Sequence, residues 1–343
     1  TAVRTYFLFQ VMDMDFYPDY YSKFKCIASE CSDNCCIGWE IDIDDATYLH
    51  YKNCGGEFEK RVAECIRTDE DGIHSFILDE HERCPFLNDK NLCDVYINLG
   101  SDALGNICTD HPRFRNFLSF GTETGIGLCC EAAAEIILGR RGKFSLDRPE
   151  PQSEDGFENA VLGARSAAFR ILSADGDVFD SLRRLCATAK RIQPLLDCEQ
   201  YDEVCRICAE NTQSADNEPS FPGLSEDMIK MMGTLESISP EWDAMLEKIS
   251  RYNGGYSFDD ETNIHINEEL KQAAQYFVFR HFTEACDDGE IISKAYFAHF
   301  GCAVIYASWC AAGCGSFRER TDAAKLFSKQ FEYSEENMGA VYD

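Results

Sequence analysis

The sequence predicts a mainly α protein with a loop-rich amino-terminal cysteine domain containing little β structure, followed by an α-helical domain. The first observation is how the cysteines are spread. Eleven of 19 precede residue 131, nine of them in tight local motifs, and then none occurs until Cys186. The second is "GRRGKFSLDRPEPQSEDGFEN", residues 139–159, which is polar, carries Gly and Pro, lacks periodicity and reads as a linker. The third is helical spacing downstream. Together they place a metal-type cysteine domain at 1–138 and a helical domain at 160–343.

In the first part, "GWEIDID" alternates Trp39, Ile41 and Ile43 with polar residues, a short strand or extended segment. Its other elements are short, so the domain depends for rigidity on whatever its cysteines hold. In the second part, "DVFDSLRRLCATAKRIQ" sets Val178, Leu182, Leu185 and Cys186 at helical spacing. "SPEWDAMLEKI" offers Ser239 as a cap with Pro240 at the first helical position. "INEELKQAAQYFVFRHFTEAC" predicts a helix capped by Asn267 with Glu268 and Glu269 in its first turn. Residues 211–227 read as a loop. The uncharged run "AYFAHFGCAVIYASWCAAGC", residues 295–314, has the length of a membrane span, but its Ala, Gly and Cys content, His299, and the flanking Lys294 and Arg318 predict a buried helix instead.

Net charge is −29, from 61 acidic and 32 basic residues, which disfavours nucleic acid and anionic lipid and favours a basic partner. The start "TAVRTYFLFQVMDMDFYPDY" interrupts its apolar stretch with Gln10 and Asp13, so no signal peptide is read and the cytoplasm is expected. There thiols stay reduced, and 19 cysteines, an odd number, point to metal or chemistry rather than disulfides.

Four motifs carry the constellation: Cys26, Cys31, Cys35 and Cys36 in "CIASECSDNCC"; Cys84 and Cys93 in "RCPFLNDKNLCDVYINLG"; Cys108 in "ICTDHPRFRN"; and Cys129 and Cys130 in "GLCCE". Each sets thiols beside turn-forming residues, which lets them converge on one ion, and at least three of Cys31, Cys35, Cys84, Cys93 and Cys108 are expected to draw their sulfurs together. Adjacent cysteines rarely bond each other, so each pair implies two duties. Single members can equally be buried small hydrophobes. Zinc and iron-sulfur both stay open. The absence of C-x2-C pairs and the scarcity of histidine, with His111 alone inside a motif, favour an all-cysteine iron-sulfur cluster. The triplet of radical S-adenosylmethionine enzymes is broken, because Gly38 stands where its third cysteine belongs. The downstream cysteines, among them Cys205, Cys208, Cys310 and Cys314, are assigned to no metal.

With "YYSKFKCIASECSDNCCIGWEIDID", "ERCPFLNDKNLCDVYINLG", "CTDHPRFRNF" and "GLCCE" in that order, the chain resembles the flagellin lysine N-methylase family over residues 21–135, and more loosely the wider zinc- or iron-chelating cysteine-cluster proteins. Beyond residue 160 the likeness is softer, resting on stretches such as "YFVFRHF". The resemblance implies a cytoplasmic enzyme that transfers methyl from S-adenosylmethionine to flagellin lysines and carries an iron-sulfur cluster. By motif its ligands come from the nine cysteines just named, of which one four-iron cluster, the 4Fe-4S type, needs four.

Methyl transfer needs a neutral amine, and with a pKa near 10.4 only about one lysine in two thousand is neutral at pH 7, a deficit of about 4.6 kcal/mol. Desolvation or a base must supply it. Candidates beside the cysteines are Tyr96, Asp110, His111, Arg113, Arg115, Glu123 and Glu131. His111 has a suitable intrinsic pKa for the base, with a supporting place beside a metal ligand as the alternative. Tyr96 and Glu123 stand as further catalytic candidates. Arg113 could grip the methionyl carboxylate, and Gly125 and Gly127 in "FGTETGIGLCC" could let backbone approach the cofactor. No well-formed methyl-donor motif appears elsewhere.

Overall fold

The computed structural model describes residues 14–38, 40–149, 151–210, 224–252 and 261–342. Chain order gives β1 (Asp15–Phe16), β2 (Asp42–Ile43), α1 (Asp45–Tyr51), α2 (Gly56–Glu64), β3 (Ile66–Thr68), β4 (His74–Phe76), α3 (Asp94–Leu99), α4 (Asn106–Asp110), β5 (Arg113–Leu118), β6 (Gly121–Ile126) and α5 (Glu131–Gly139). Then come α6 (Gly156–Leu172), α7 (Val178–Asp197), α8 (Tyr201–Ala209), α9 (Glu226–Met232), α10 (Pro240–Arg251), α11 (Glu261–His281), α12 (Ala285–Asp288), α13 (Ile291–Ala311), α14 (Phe317–Glu332) and α15 (Glu335–Tyr342). The fold is mainly α, as the sequence predicts.

Two compact units are present, interleaved along the chain rather than serial. Among the described residues, the cysteine unit comprises those within 25–114 and 130–132, and the helical unit those within 14–24, 115–129 and 133–342. The boundary therefore does not coincide with residue 138. The reason is strand pairing: β1 runs parallel to β6, Asp15 opposite Thr122, and brings the amino-terminal segment into the helical unit. Gly121 makes this approach possible, since a Cβ there would lie 2.2 Å from the Met14 carbonyl oxygen.

In the cysteine unit β2, β4 and β3 form an antiparallel sheet, with Ser75 of β4 opposite Asp42 and Arg67. Ile41 and Ile43 point inward as their alternation predicts, while Trp39 lies outside the described residues. They join Tyr51, Val62, Phe76, Phe86 and Val95 in one small core, against which Cys36, Cys65 and Cys93 pack.

The helical unit centres on α13, buried on every side from Phe297 to Trp309, as expected of residues 295–314. No described helix is long and apolar enough to cross a membrane. Ser239 caps α10, accepting from Trp242 N at 3.3 Å with Pro240 first in the helix. Asn267 does not cap α11, which begins six residues earlier. Its amide instead accepts from Val178 N at 2.9 Å and donates to the Gly176 carbonyl at 3.0 Å, tying α11 to the start of α7. The stretch read as a linker is fastened down: Arg140 binds Asp19 and Gln272, and Phe144 stacks on Phe169 at 4.4 Å. Most of the loop expected at 211–227 lies outside the described residues, and α9 starts within its end, capped by Ser225.

Candidate metal centre

Three segments of the cysteine unit bring five thiols into one neighbourhood. In the first, Asn34 accepts from Cys36 N at 2.9 Å and fixes the turn that presents Cys35 and Cys36. The second begins where Cys84 N donates to the Cys36 carbonyl at 2.8 Å, so the two motifs lie side by side. Its turn is stapled from within: Arg83 donates to the Leu87 and Asn88 carbonyls, and Asn88 accepts from Lys90 N and Leu92 N. A bridge between Leu87 and Cys93 closes it. Arg61 braces the same turn from outside, bonded to Asp94 at 2.7 Å and to the Pro85 carbonyl at 2.9 Å. The third segment is α4, which carries Cys108 and is anchored where Asn106 N donates to Asp44, itself the cap of α1.

The electrostatics of this group are one-sided. Cys36 has its pKa raised far above the ordinary thiol range, first by its hydrogen bond with Cys35, then by burial and the charges of Cys35, Cys84 and Cys108. Burial pushes Cys84 up to about 11, with Cys93 adding to it, while the N–H groups of Phe86 and Leu87 aimed at its sulfur pull the other way. Cys108 is exposed as a residue, yet desolvation of its sulfur, with Cys84, Cys93 and Cys35 beside it, pushes it to about 12. Tyr51 is raised by burial and by the same thiols. No arginine or lysine is among the groups acting most strongly on Cys36, Cys84 or Cys108. Soft donors that crowd one another suit a thiophilic cation, which would relieve their repulsion on deprotonation. The sulfurs are not gathered as tightly as the sequence leads one to expect: among the described residues no group of three or more His, Cys, Asp or Glu is arranged to hold a metal ion. The donor set fits a metal by its chemistry, and binding would have to draw the thiols closer.

The remaining motif cysteines separate. Cys31 donates to the Asp33 carbonyl at 3.0 Å and faces Glu131 at 3.6 Å. Glu131, buried at the start of α5, also receives Ser32 N and Oγ at 2.9 and 2.7 Å. The Cys26 sulfur accepts from Ala28 N at 3.4 Å and is exposed. Cys129 and Cys130 fall in different units: Cys130 is half-buried in the cysteine unit, and Cys129 is buried in the helical unit, where it shares a hydrogen bond with Tyr333.

Candidates for catalysis divide in the same way. His111 ends α4, three residues after Cys108, and Tyr96 is exposed on α3, so both belong to the cysteine unit. Arg113 stands close by, donating to the Thr109 carbonyl at 2.9 Å. Glu123 is elsewhere, fully buried in the helical unit, where Arg165 holds both its oxygens at 2.7 and 2.6 Å and Asn116 adds a third bond. That geometry makes it an anchor between β6 and α6 instead of a base open to substrate. Gly125 lies within β6, a strand and not a nucleotide-binding turn. Gly127 follows it, where a Cβ would come within 2.9 Å of the Tyr333 hydroxyl and 3.0 Å of Arg280, so its smallness serves packing.

Sequence reasoning missed the polar centre of the helical unit. Glu332, Tyr276, Arg280 and His281 meet there, with His281 Nε2 2.7 Å from Glu332 and Arg280 Nη1 2.9 Å from the Tyr276 hydroxyl. Leu128 N donates to the same hydroxyl at 3.2 Å. The stretch "YFVFRHF" contains three of these residues, but they are buried with aromatic neighbours and carry no local motif.

Comparison with known proteins adds three relatives. The chain is 28% identical over 126 residues to the flagellar biosynthetic protein FliU of Salmonella muenchen, covering 35% of this chain and 75% of that protein. It is 27% identical over 134 residues to lysine-N-methylases of Salmonella typhimurium and Salmonella choleraesuis, again over 35% of this chain. It spans only 31% of the length of either methylase. No family profile and no solved structure matches the chain. These relatives support the kinship with lysine N-methylases that the cysteine motifs suggest.

Proposed function

We propose that this protein is an S-adenosylmethionine-dependent lysine N-methyltransferase acting on flagellin in the cytoplasm, with an iron-sulfur cluster held by thiols of the cysteine unit. One observation supports the metal part: Cys35, Cys36, Cys84, Cys93 and Cys108, drawn from three separate motifs, come near enough that their charges act on Cys36, Cys84 and Cys108 and raise the pKa of those three. Those five would supply the four ligands of a 4Fe-4S cluster, with zinc as the alternative occupant. When bound, the metal would lock together three segments that otherwise share only a small core. The similarity to lysine-N-methylases supports methyl transfer, and a net charge of −29 suits a lysine-bearing partner.

For the reaction itself the chain must deliver a neutral amine to the sulfonium methyl. His111 is assigned as the base that takes the ammonium proton, with Tyr96 exposed on the same unit to orient the amine. Arg113 is assigned to the methionyl carboxylate, a two-pronged contact that lysine could not reproduce. The test is anaerobic protein, analysed for iron, zinc and sulfide, then titrated with S-adenosylmethionine by calorimetry and assayed for methyl transfer to flagellin. Iron with equimolar sulfide, cofactor binding and methylated lysine are expected. Stoichiometric zinc without sulfide would overturn the cluster. Failure to bind S-adenosylmethionine, with flagellin present or absent, would overturn the enzyme and leave a metal-binding module. His111→Ala should lower turnover by about a hundredfold or more, as loss of a general base does. A change within a few-fold would assign deprotonation to desolvation instead.

A further inference from the structure

We propose that Cys310 and Cys314, at the end of α13, form a reversible disulfide site oxidised by a small disulfide of the glutathione class. The helix closes at Ala311, and Gly313, Cys314 and Gly315 follow with φ of 78°, 59° and 20°. This left-handed turn, unusual for a residue with a Cβ, carries the chain back over the helix end. Cys314 N donates to the Trp309 carbonyl at 2.6 Å, and the Cys310 and Cys314 thiols share a hydrogen bond.

The turn is held from one side by Arg320. Its Nη1 donates to the Cys314 and Gly315 carbonyls at 3.0 and 2.8 Å, while Glu269 grips the rest of the guanidinium at 2.6 and 2.7 Å. Both cysteines are half-buried, and Ala312, Gly313, Gly315 and Ser316 around them are exposed, so a small oxidant reaches the pair.

The surroundings assign the two sulfurs different parts. Cys314 lies in the turn between exposed Gly313 and Gly315, where a small disulfide meets it first. Burial pushes the Cys310 thiol up to about 11 against the lowering pull of the Tyr306 and Tyr252 hydroxyls. Cys314 therefore attacks first. Its thiolate bonds to one sulfur of the small disulfide, the S–S bond breaks, and one small thiolate leaves and takes up a proton. Cys310 then loses its proton, attacks the Cys314 sulfur and expels the second small thiol. Two protein thiols are oxidised and one small disulfide is reduced to two thiols.

This site belongs to the helical unit, the five thiols assigned to metal belong to the cysteine unit, and the proposal does not depend on the methyltransferase reading. Its test uses the full chain as isolated, equilibrated in glutathione buffers of graded redox ratio, acid-quenched, denatured, alkylated and mapped as peptides. In oxidising buffer Cys310 and Cys314 should be protected together, alkylation of both falling about tenfold or more, with the peptide lighter by two hydrogens. Cys302, on the same tryptic peptide and fully buried, should show no bond to either. Reductant should restore both. Cys310→Ser should hold Cys314 as a glutathione adduct, and Cys314→Ser should leave Cys310 fully alkylated. Alkylation of both cysteines at every ratio, or a bond from Cys314 to any other cysteine, would overturn the proposal; the wild-type map decides this even if a variant fails to fold.

Discussion

In the helical unit several buried charges meet their opposites within the chain. Glu123 lies against Arg165, Glu269 against Arg320, and Glu332 against His281 and Arg280. In the cysteine unit the groups acting on Cys36, Cys84 and Cys108 include other thiols, Cys35, Cys84 and Cys93 among them. The first interior is closed by its own sequence. The second, on the reading proposed above, would be completed by a bound metal. A unit built of long packed helices can hold charged pairs in place by burial, whereas one built of turns and helices of five to nine residues has less core with which to do so.

The comparison is broken most severely by removing one half of a buried pair. Arg165→Met leaves the fully buried Glu123 carboxylate without its guanidinium and should cost about 3–5 kcal/mol, read as a lower thermal midpoint of the helical signal. Pairing it with Glu123→Leu should recover most of that loss. The exposed Arg206→Met should shift stability by no more than about 0.5 kcal/mol and serves as the control.

Next in size is the loss of a thiol from the group. Cys84→Ser should strip most of the bound metal, and Cys314→Ser should leave metal content unchanged, as elemental analysis of the two purified variants would show. Equal metal loss in both would mean that the cysteines of the two units are not distinct in kind.

Proton release sharpens the contrast further. Because Cys36, Cys84 and Cys108 all have folded pKa values raised above the ordinary thiol range, they are protonated near neutral pH until metal binds. Reloading zinc into the stripped protein should release about one proton per thiol engaged and should weaken as pH falls. Calorimetry in buffers of different ionisation heat measures the count, and a count near zero would contradict the assignment.

The smallest effect belongs to the helical unit. Burial works against the Glu284 carboxylate, yet the His281 hydrogen bond and charge bring it down to about 2 from 4.5; its stabilisation is present above 4.5 and fades as pH falls toward 2. Burial also works against charged His281, but Glu284 and Glu332 raise its pKa above 6.5, so its contribution is full below 6.5 and is lost as pH climbs through the raised value. Denaturant titrations should therefore find this unit most stable between about 4.5 and 6.5.

What the sequence made legible was local. Ser239 followed by Pro240 marks a helix start by chemistry confined to four residues, and the structure has that cap. The uncharged run at residues 295–314 reads as a buried helix, and from Phe297 to Trp309 it is buried, while its end at 310–314 turns out toward the surface. Long-range pairing was hidden. Nothing beside Asn267 tells that its amide serves another helix, and nothing beside Asp15 tells that it pairs with Thr122. Glu123 looked like an open acid in a glycine-rich loop because its partner, Arg165, lies 42 residues away. That thiols of separate motifs come near one another was readable from the turn residues beside them, for Cys35, Cys36, Cys84, Cys93 and Cys108 but not for Cys26, Cys31, Cys129 and Cys130. Which members meet was not, because that depends on contacts such as Cys84 N to the Cys36 carbonyl.

The central claim, that the cysteine unit is completed by metal and the helical unit by itself, is tested most directly by amide hydrogen exchange on the full chain before and after chelation. The account predicts faster exchange after chelation across residues 34–37, 83–93 and 105–111, with residues 156–209 and 264–342 unchanged. Exchange that rises equally in both units, or only in the helices, would contradict it.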